Sequence, residues 1–116
     1  MENLNIQNDE RPWGNFKQFT ANTPSTVKII TVNPNESLSL QSHNQREEFW
    51  YVLKGEGIFE INDVVYDVVE GDEYYVKLGE KHRISAEENG MQVLEIAFGN
   101  FNEEDIIRYE DKYGRS

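Results

Sequence analysis

The chain has 116 residues, which is enough for one domain and too few for two. Its net charge of −11 and its lack of cysteine argue against nucleic-acid binding, disulfides and thiolate metal sites. It has no apolar run of membrane-spanning length, and its polar N-terminus does not resemble a signal peptide. We therefore expect a cytoplasmic protein that binds neither nucleic acid nor a membrane.

Residues 1–10 are predicted to be a flexible acidic arm, and residues 11–116 a single domain. Within that domain, period-2 alternation and β-branched runs between turn residues predict about nine short strands. The predicted strands cover residues 15–20, 26–32, 37–43, 48–53, 58–61, 64–69, 74–78, 83–86 and 91–98. Asn62-Asp63 predicts a hairpin turn between two of them.

The end of the chain has a different pattern. Residues 102–105 read Asn-Glu-Glu-Asp, which resembles a helix N-cap followed by acids in the first turn. This pattern predicts a short helix over residues 103–109. Many short strands with little helix are typical of an all-β sandwich or barrel.

Residues 49–53 of the predicted strand 48–53 are apolar on both faces. A small barrel buries only one face of each strand in its own core, so the other face needs a cover. We expect that cover to be a second copy of the chain, which predicts a homodimer. The alternative is that the N-terminal arm or the C-terminal helix covers this face.

The two histidines, His43 and His82, have other metal-ligating side chains nearby in the predicted fold. Gln41 lies two residues before His43 and therefore on the same strand face. Glu48 opens the next strand, and a tight reversal would bring it beside His43. A returning strand can place His82 opposite them. Two imidazoles, a carboxylate and an amide oxygen suit zinc, manganese, cobalt, nickel or iron. The alternative is that both histidines are ordinary surface residues.

Four segments of the chain resemble one family. Residues 41–52, QSHNQREEFWYV, resemble the first cupin motif in the version found in type II phosphomannose isomerases. Those proteins are the isomerase domains of bifunctional mannose-1-phosphate guanylyltransferases. Residues 71–82 resemble the second cupin motif, and residues 11–14 and 104–115 resemble the family's terminal signatures. The resemblance runs from about residue 11 to residue 115 and excludes the guanylyltransferase part.

The resemblance implies an all-β cupin fold, a double-stranded β-helix or jelly-roll barrel. It also implies a divalent metal ion, for which we expect zinc, with Gln41, His43, Glu48 and His82 as its ligands. The implied activity is that of a mannose-6-phosphate isomerase, which interconverts mannose 6-phosphate and fructose 6-phosphate through an enediolate.

Two positions depart from the cupin motifs. Lys77 stands where the second motif has proline, and Ala86 stands where many cupins have asparagine. They keep open the alternative of a non-catalytic sugar-binding cupin. A further alternative is another metal-dependent cupin enzyme, such as an epimerase or an oxygenase.

The implied reaction also needs a general base and cations for a phosphate dianion. Glu95, in the apolar strand 91–98, is the candidate base; the alternative is a solvated or salt-bridged carboxylate. Arg46, inside the first motif, is a candidate for catalysis and phosphate binding; the alternative is a surface ion pair with Glu47.

Three further residues complete the predicted site. Lys81, in the turn before His82, is a candidate catalytic and substrate-binding cation at the rim. Arg11 is either a phosphate contact or a partner for nearby acids. Trp50 shares strand parity with Glu48, so it either lines the substrate cavity or belongs to the core.

Overall fold

The computed structural model describes residues 6–111 and Gly114, and in these residues every regular element is a β-strand. The strands are β1 Gln7–Arg11, β2 Gly14–Gln18, β3 Thr26–Val32, β4 Leu40–Ser42, β5 Arg46–Ile61, β6 Val64–Val69, β7 Glu73–Val76, β8 His82–Gly99 and β9 Ile107–Glu110. The described part of the chain contains no helix long and apolar enough to cross a membrane.

Two long strands organise the barrel. β5 and β8 pair antiparallel from Arg46↔Gly99 to Ile61↔His82. Around them the strand order is β6-β5-β8-β4-β9, with β3 on β8 and β7 on β5. The result is the jelly-roll barrel that the sequence predicted, and the β1–β2 hairpin forms a separate small sheet.

β5 and β8 each join two strands that were predicted as separate. The register between them shifts at Val52/Lys54 and at Gly55/Gly57, where bulges bend the strands without ending them. A Cβ atom on Gly57 would overlap the Ser85 carbonyl oxygen, so the backbones at the bend approach as closely as only glycine allows.

The core lies between the two halves of the bent strands. Its fully buried side chains include Trp50, Val52, Phe59, Ile84 and Val93. The ring of Trp50 meets that of Phe59 edge-on at 4.8 Å between centroids, a favourable aromatic geometry. This core forms the floor beneath the site described below.

A second, smaller apolar cluster covers the outer face of β5 and β8. Phe49, Ile96 and Phe98 are buried there, and Ile6 and Phe19 pack against them. The N-terminal segment therefore covers the face for which we predicted a partner subunit, and the homodimer stays a prediction. Of the predicted flexible arm, residues 1–5 lie outside the described residues, and β1 begins at Gln7.

The predicted helix over residues 103–109 is wrong. The capping signal produces only a turn, in which the Asn102 side chain accepts a hydrogen bond from the Glu104 amide at 2.9 Å. The chain then extends into β9, which pairs with β4 through Gln41↔Arg108 and Ser42↔Ile107. The hydrogen bonds that β9 forms with the edge of β4 outweigh the local preference for a helix. The sequence pattern does not show this, because the pairing partner lies far away along the chain.

Candidate active site

The predicted metal ligands come together at one end of the barrel. His43 follows β4, Glu48 lies in the first half of β5, and His82 begins β8. The antiparallel pairing of β4 and β8 sets Gln41 opposite His82. His43, Glu48 and His82 are all buried, with exposures of 2–4%.

The three ionisable ligands can hold one metal ion. One ligand atom from each of His43, Glu48 and His82 lies within 4.8 Å of the others. The His43 Nε2 atom is 3.3 Å from one Glu48 carboxylate oxygen, and the His82 Nε2 atom is 3.6 Å from the other. The imidazole rings are 4.9 Å apart between centroids. Two nitrogens and a carboxylate oxygen facing one point are a donor set that suits zinc and similar divalent ions.

The backbone orients both imidazoles for this purpose. The His43 Nδ1 atom is 2.6 Å from the Asp105 carbonyl oxygen, and the His82 Nδ1 atom is 2.9 Å from that of Glu80. A carbonyl only accepts, so each Nδ1 carries a proton, and the loss of any second proton from Nε2 would leave the lone pair that a metal ion binds. Burial also lowers the pKa of His82, against the attraction of Glu48. This is the arrangement that fixes metal-binding histidines in proteins.

Glu48 is held by more than the histidines. Its carboxylate accepts hydrogen bonds from the Trp50 indole at 3.0 Å and from the Arg46 guanidinium at 3.2 Å. Burial acts to raise the pKa of Glu48, but the hydrogen bond with His43 and the charge of His82 outweigh it, so the pKa lies well below its usual range. The carboxyl is therefore ionised at neutral pH, as a ligand must be.

Glu95 lies beside this centre on β8. It is 5% exposed, lines the same cavity and hydrogen-bonds to Glu48. Burial, together with the negative charge of Glu48, raises the pKa of Glu95 to about 8. Lys28 lies directly opposite Glu95 on the neighbouring strand β3, and its Nζ atom is 3.9 Å from the Glu95 carboxylate. The two glutamates therefore differ in protonation state at pH 7, a pairing common in acid–base sites.

Gln41 lines the cavity with the other predicted ligands. Its amide nitrogen lies 3.1 Å from the Ser39 hydroxyl and 3.3 Å from the Ser39 carbonyl oxygen, and it donates to both. With the nitrogen turned to Ser39, the amide oxygen is the atom that a metal ion would bind.

The cavity above these groups has a volume of about 200 Å³. Arg46 lines it, but its guanidinium also lies 3.2 Å from both the His43 Nε2 atom and the Asn102 carbonyl oxygen. Trp50 also belongs to the wall, and its indole nitrogen is directed at Glu48. Both predicted residues thus support the ligands as well as bordering the cavity.

Two predicted substrate contacts lie outside this cavity. Arg11 belongs to the β1–β2 hairpin, with its guanidinium over the Phe16 ring and 4.0 Å from Asp9. The Lys81 Nζ atom lies 4.4 Å from the centre of the Tyr109 ring. The structure brings neither Arg11 nor Lys81 together with the four ligands.

Sequence reasoning missed Lys28, which lines the cavity. A usable signal was present: in β3, Lys28 shares strand parity with Ile30 and Val32, which face the core cluster. A single lysine on the inward face of an apolar strand indicates a buried or functional charge. Glu103 was missed because it was assigned to a helix.

The chain matches a family model described as mannose-6-phosphate isomerase C-terminal over residues 2–111. The chain belongs to this family. Among its relatives, the mannose-1-phosphate guanylyltransferase ManC of Salmonella typhimurium is 38% identical in an alignment 109 residues long, which covers 90% of this chain and 22% of ManC. The alginate biosynthesis protein AlgA of Pseudomonas putida is 34% identical, over 91% of this chain and 22% of AlgA. This member of the mannose-6-phosphate isomerase C-terminal family thus spans about a fifth of these relatives.

Solved structures confirm the cupin-type fold. The capsular polysaccharide assembling protein CapF of Staphylococcus aureus superposes with a TM-score of 0.68 at 18% identity, over 90% of this chain and 34% of CapF. A predicted oxalate decarboxylase of Thermotoga maritima superposes with a TM-score of 0.62 at 20% identity, over 84% of this chain and 94% of that one. At these identities the likeness concerns the fold alone.

Proposed function

We propose that this chain is a metal-dependent aldose–ketose isomerase that interconverts mannose 6-phosphate and fructose 6-phosphate. The observation that carries the proposal is the convergence of His43, Glu48 and His82 on one point, with Glu95 beside them in the same cavity. Membership in the mannose-6-phosphate isomerase C-terminal family supports this choice of substrate.

The metal would be held by the two Nε2 atoms, by the Glu48 carboxylate and by the amide oxygen of Gln41. Zinc is the ion we expect from this set of nitrogen and oxygen donors. When bound, a divalent ion supplies a positive charge that stabilises an oxyanion on the substrate.

Glu95 is our candidate for the proton transfer. Isomerisation removes a proton from the carbon beside the carbonyl and returns it one carbon over, through a cis-enediolate, while the hydroxyl proton passes from one of the two substrate oxygens to the other. A single carboxyl group can do both if it lies in a cavity largely closed to water. Glu95 is 5% exposed and lies between Glu48 and Lys28, so it meets that condition. Without a metal ion, burial and the charge of Glu48 keep it protonated at pH 7; the positive charge of a bound divalent ion would lower its pKa and leave the carboxylate free to accept the proton.

Arg46 has a supporting part in this proposal. Its guanidinium is 3.2 Å from both Glu48 and His43, so it helps to hold these two ligands in place. It also borders the cavity, where its positive charge would favour an enediolate.

The test is a coupled assay that follows fructose 6-phosphate formed from mannose 6-phosphate. The protein is first treated with EDTA and then loaded with zinc, cobalt or manganese. We expect turnover only after loading, and none in the His43→Ala/His82→Ala double variant. Glu95→Gln is expected to retain the metal and to lower kcat by about a hundredfold or more. Absence of turnover with all three ions would show that the proposal is wrong.

A further inference from the structure

The β8–β9 loop, residues 100–106, lies against the candidate active site and contributes Glu103 and Ile106 to the cavity wall. Its backbone accepts hydrogen bonds from two site residues: the Arg46 guanidinium donates to the Asn102 carbonyl, and the His43 Nδ1–H donates to the Asp105 carbonyl. The loop is therefore tied at two points to the site, to Arg46 and to the predicted ligand His43.

A third contact of this loop is of a different kind. The Glu103 carboxylate lies 3.2 Å from the Lys28 Nζ atom, and the two side chains are 75% and 37% exposed. An ion pair this accessible to water adds little stability and exchanges partners readily. Glu103 is thus an anion held loosely at the edge of the cavity.

Lys28 is well placed to bind a different anion. Its Nζ atom lies 4.6 Å from the centre of the Phe101 ring and 3.9 Å from Glu95, so the ammonium group is directed to the cavity side of β3. Arg83, another cation of the cavity wall, is instead held by both oxygens of Glu60 at 2.7 and 3.3 Å. Lys28 therefore loses less interaction energy than Arg83 does when it leaves its carboxylate partner for another anion.

We propose that Lys28 binds the phosphate group of the substrate, and that Glu103 occupies Lys28 until that phosphate replaces it. This inference rests on the proposed function and explains how the site would select phosphorylated sugars over unphosphorylated ones. Glu95 separates Lys28 from Glu48, so a sugar with its carbonyl end near the ligands would direct its phosphate end toward the lysine. A phosphate dianion also attracts the ammonium group more strongly than a single carboxylate does.

The experiment uses inorganic phosphate as the probe, so it does not depend on turnover. Phosphate binding to the full chain is measured by isothermal titration calorimetry at constant ionic strength. We expect Lys28→Met to weaken binding at least tenfold, since it removes a charged hydrogen-bond donor. Lys28→Arg is expected to retain most of the affinity, which separates loss of charge from misfolding. Lys54→Met, a change of an exposed lysine that borders another groove, serves as the matched control and is expected to bind as the unaltered protein does.

Glu103→Gln tests the exchange itself. Removal of the competing carboxylate is expected to tighten phosphate binding by about twofold to fivefold. The inference is overturned if the unaltered protein binds no phosphate, if Lys28→Met binds it normally, or if Glu103→Gln has no effect. Phosphate binding that depends on Lys28, in a protein that does not convert mannose 6-phosphate, would support the inference and refute the isomerase.

Discussion

Replacement of Glu48 by glutamine tests whether one carboxylate holds the candidate site together. The side chain is 2% exposed and accepts hydrogen bonds from Trp50 and Arg46 at 3.0 and 3.2 Å. Glutamine has nearly the same shape but no charge, so it leaves the 7% exposed Arg46 without its buried counter-charge.

The expected loss of stability follows from these contacts. A hydrogen bond to a charged group contributes about 1.5–3 kcal/mol, and breaking a buried ion pair costs about 3–5 kcal/mol. Because the amide oxygen of glutamine still accepts one bond, we expect Glu48→Gln to lower the free energy of unfolding by about 3 kcal/mol.

Urea unfolding at pH 7 in EDTA measures this loss without any contribution from metal, and elemental analysis of protein purified without chelator measures the metal. Glu87→Gln is the matched control: Glu87 is exposed, so its replacement is expected to change stability by about 0.5 kcal/mol at most. Our account of the site is refuted if Glu48→Gln unfolds within about 1 kcal/mol of the unaltered protein and retains its metal.

Two other predictions concern Glu95 and Gly57. The carboxyl of Glu95 keeps its proton up to about pH 8 in the folded chain but ionises near pH 4.5 when unfolded. The folded state thus holds the extra proton on Glu95, so in EDTA the contribution of this carboxyl to stability should fall as the pH rises from 5 to 8. Urea unfolding at both pH values should show that Glu95→Gln loses less stability over this range than the unaltered protein does, and an equal change in both would contradict the assignment. Gly57→Ala should lower stability by about 1–3 kcal/mol, because the added methyl group meets the Ser85 carbonyl and the Met91 side chain. Unchanged thermal unfolding would mean that the bulge relaxes at little cost.

Much of the barrel was predictable because its strands have local signals. β3 and β6 match their predicted bounds, residues 26–32 and 64–69. The turn between β5 and β6 has positive φ at both Asn62 and Asp63, as the favoured two-residue hairpin requires. The continuity of β5 was not predictable in this way, because a bulge and a turn present similar residues along the chain. Only the pairing with β8 distinguishes them.

The candidate site likewise has residues that local motifs predict and residues that they do not. Gln41, His43, Glu48 and His82 fall within two motifs, so their convergence could be expected once the fold was assigned. Lys28 and Glu103 lie in segments 75 residues apart, outside those motifs. Their meeting depends on the β3–β8 register and on the course of the β8–β9 loop, which no local pattern specifies.

The dependence of His43 on the Asp105 carbonyl affects how the chain can be shortened or fused. All four predicted ligands precede residue 83, so a version trimmed after residue 100 would still contain each of them. It would nevertheless lose the acceptor for His43 and the strand paired with Gln41. A preparation in which a protease had cut the β8–β9 loop and the C-terminal piece had dissociated would have the same defect. For this reason, tags and fusion partners belong at a distance from that loop, and chain integrity should be checked by mass before metal content is interpreted.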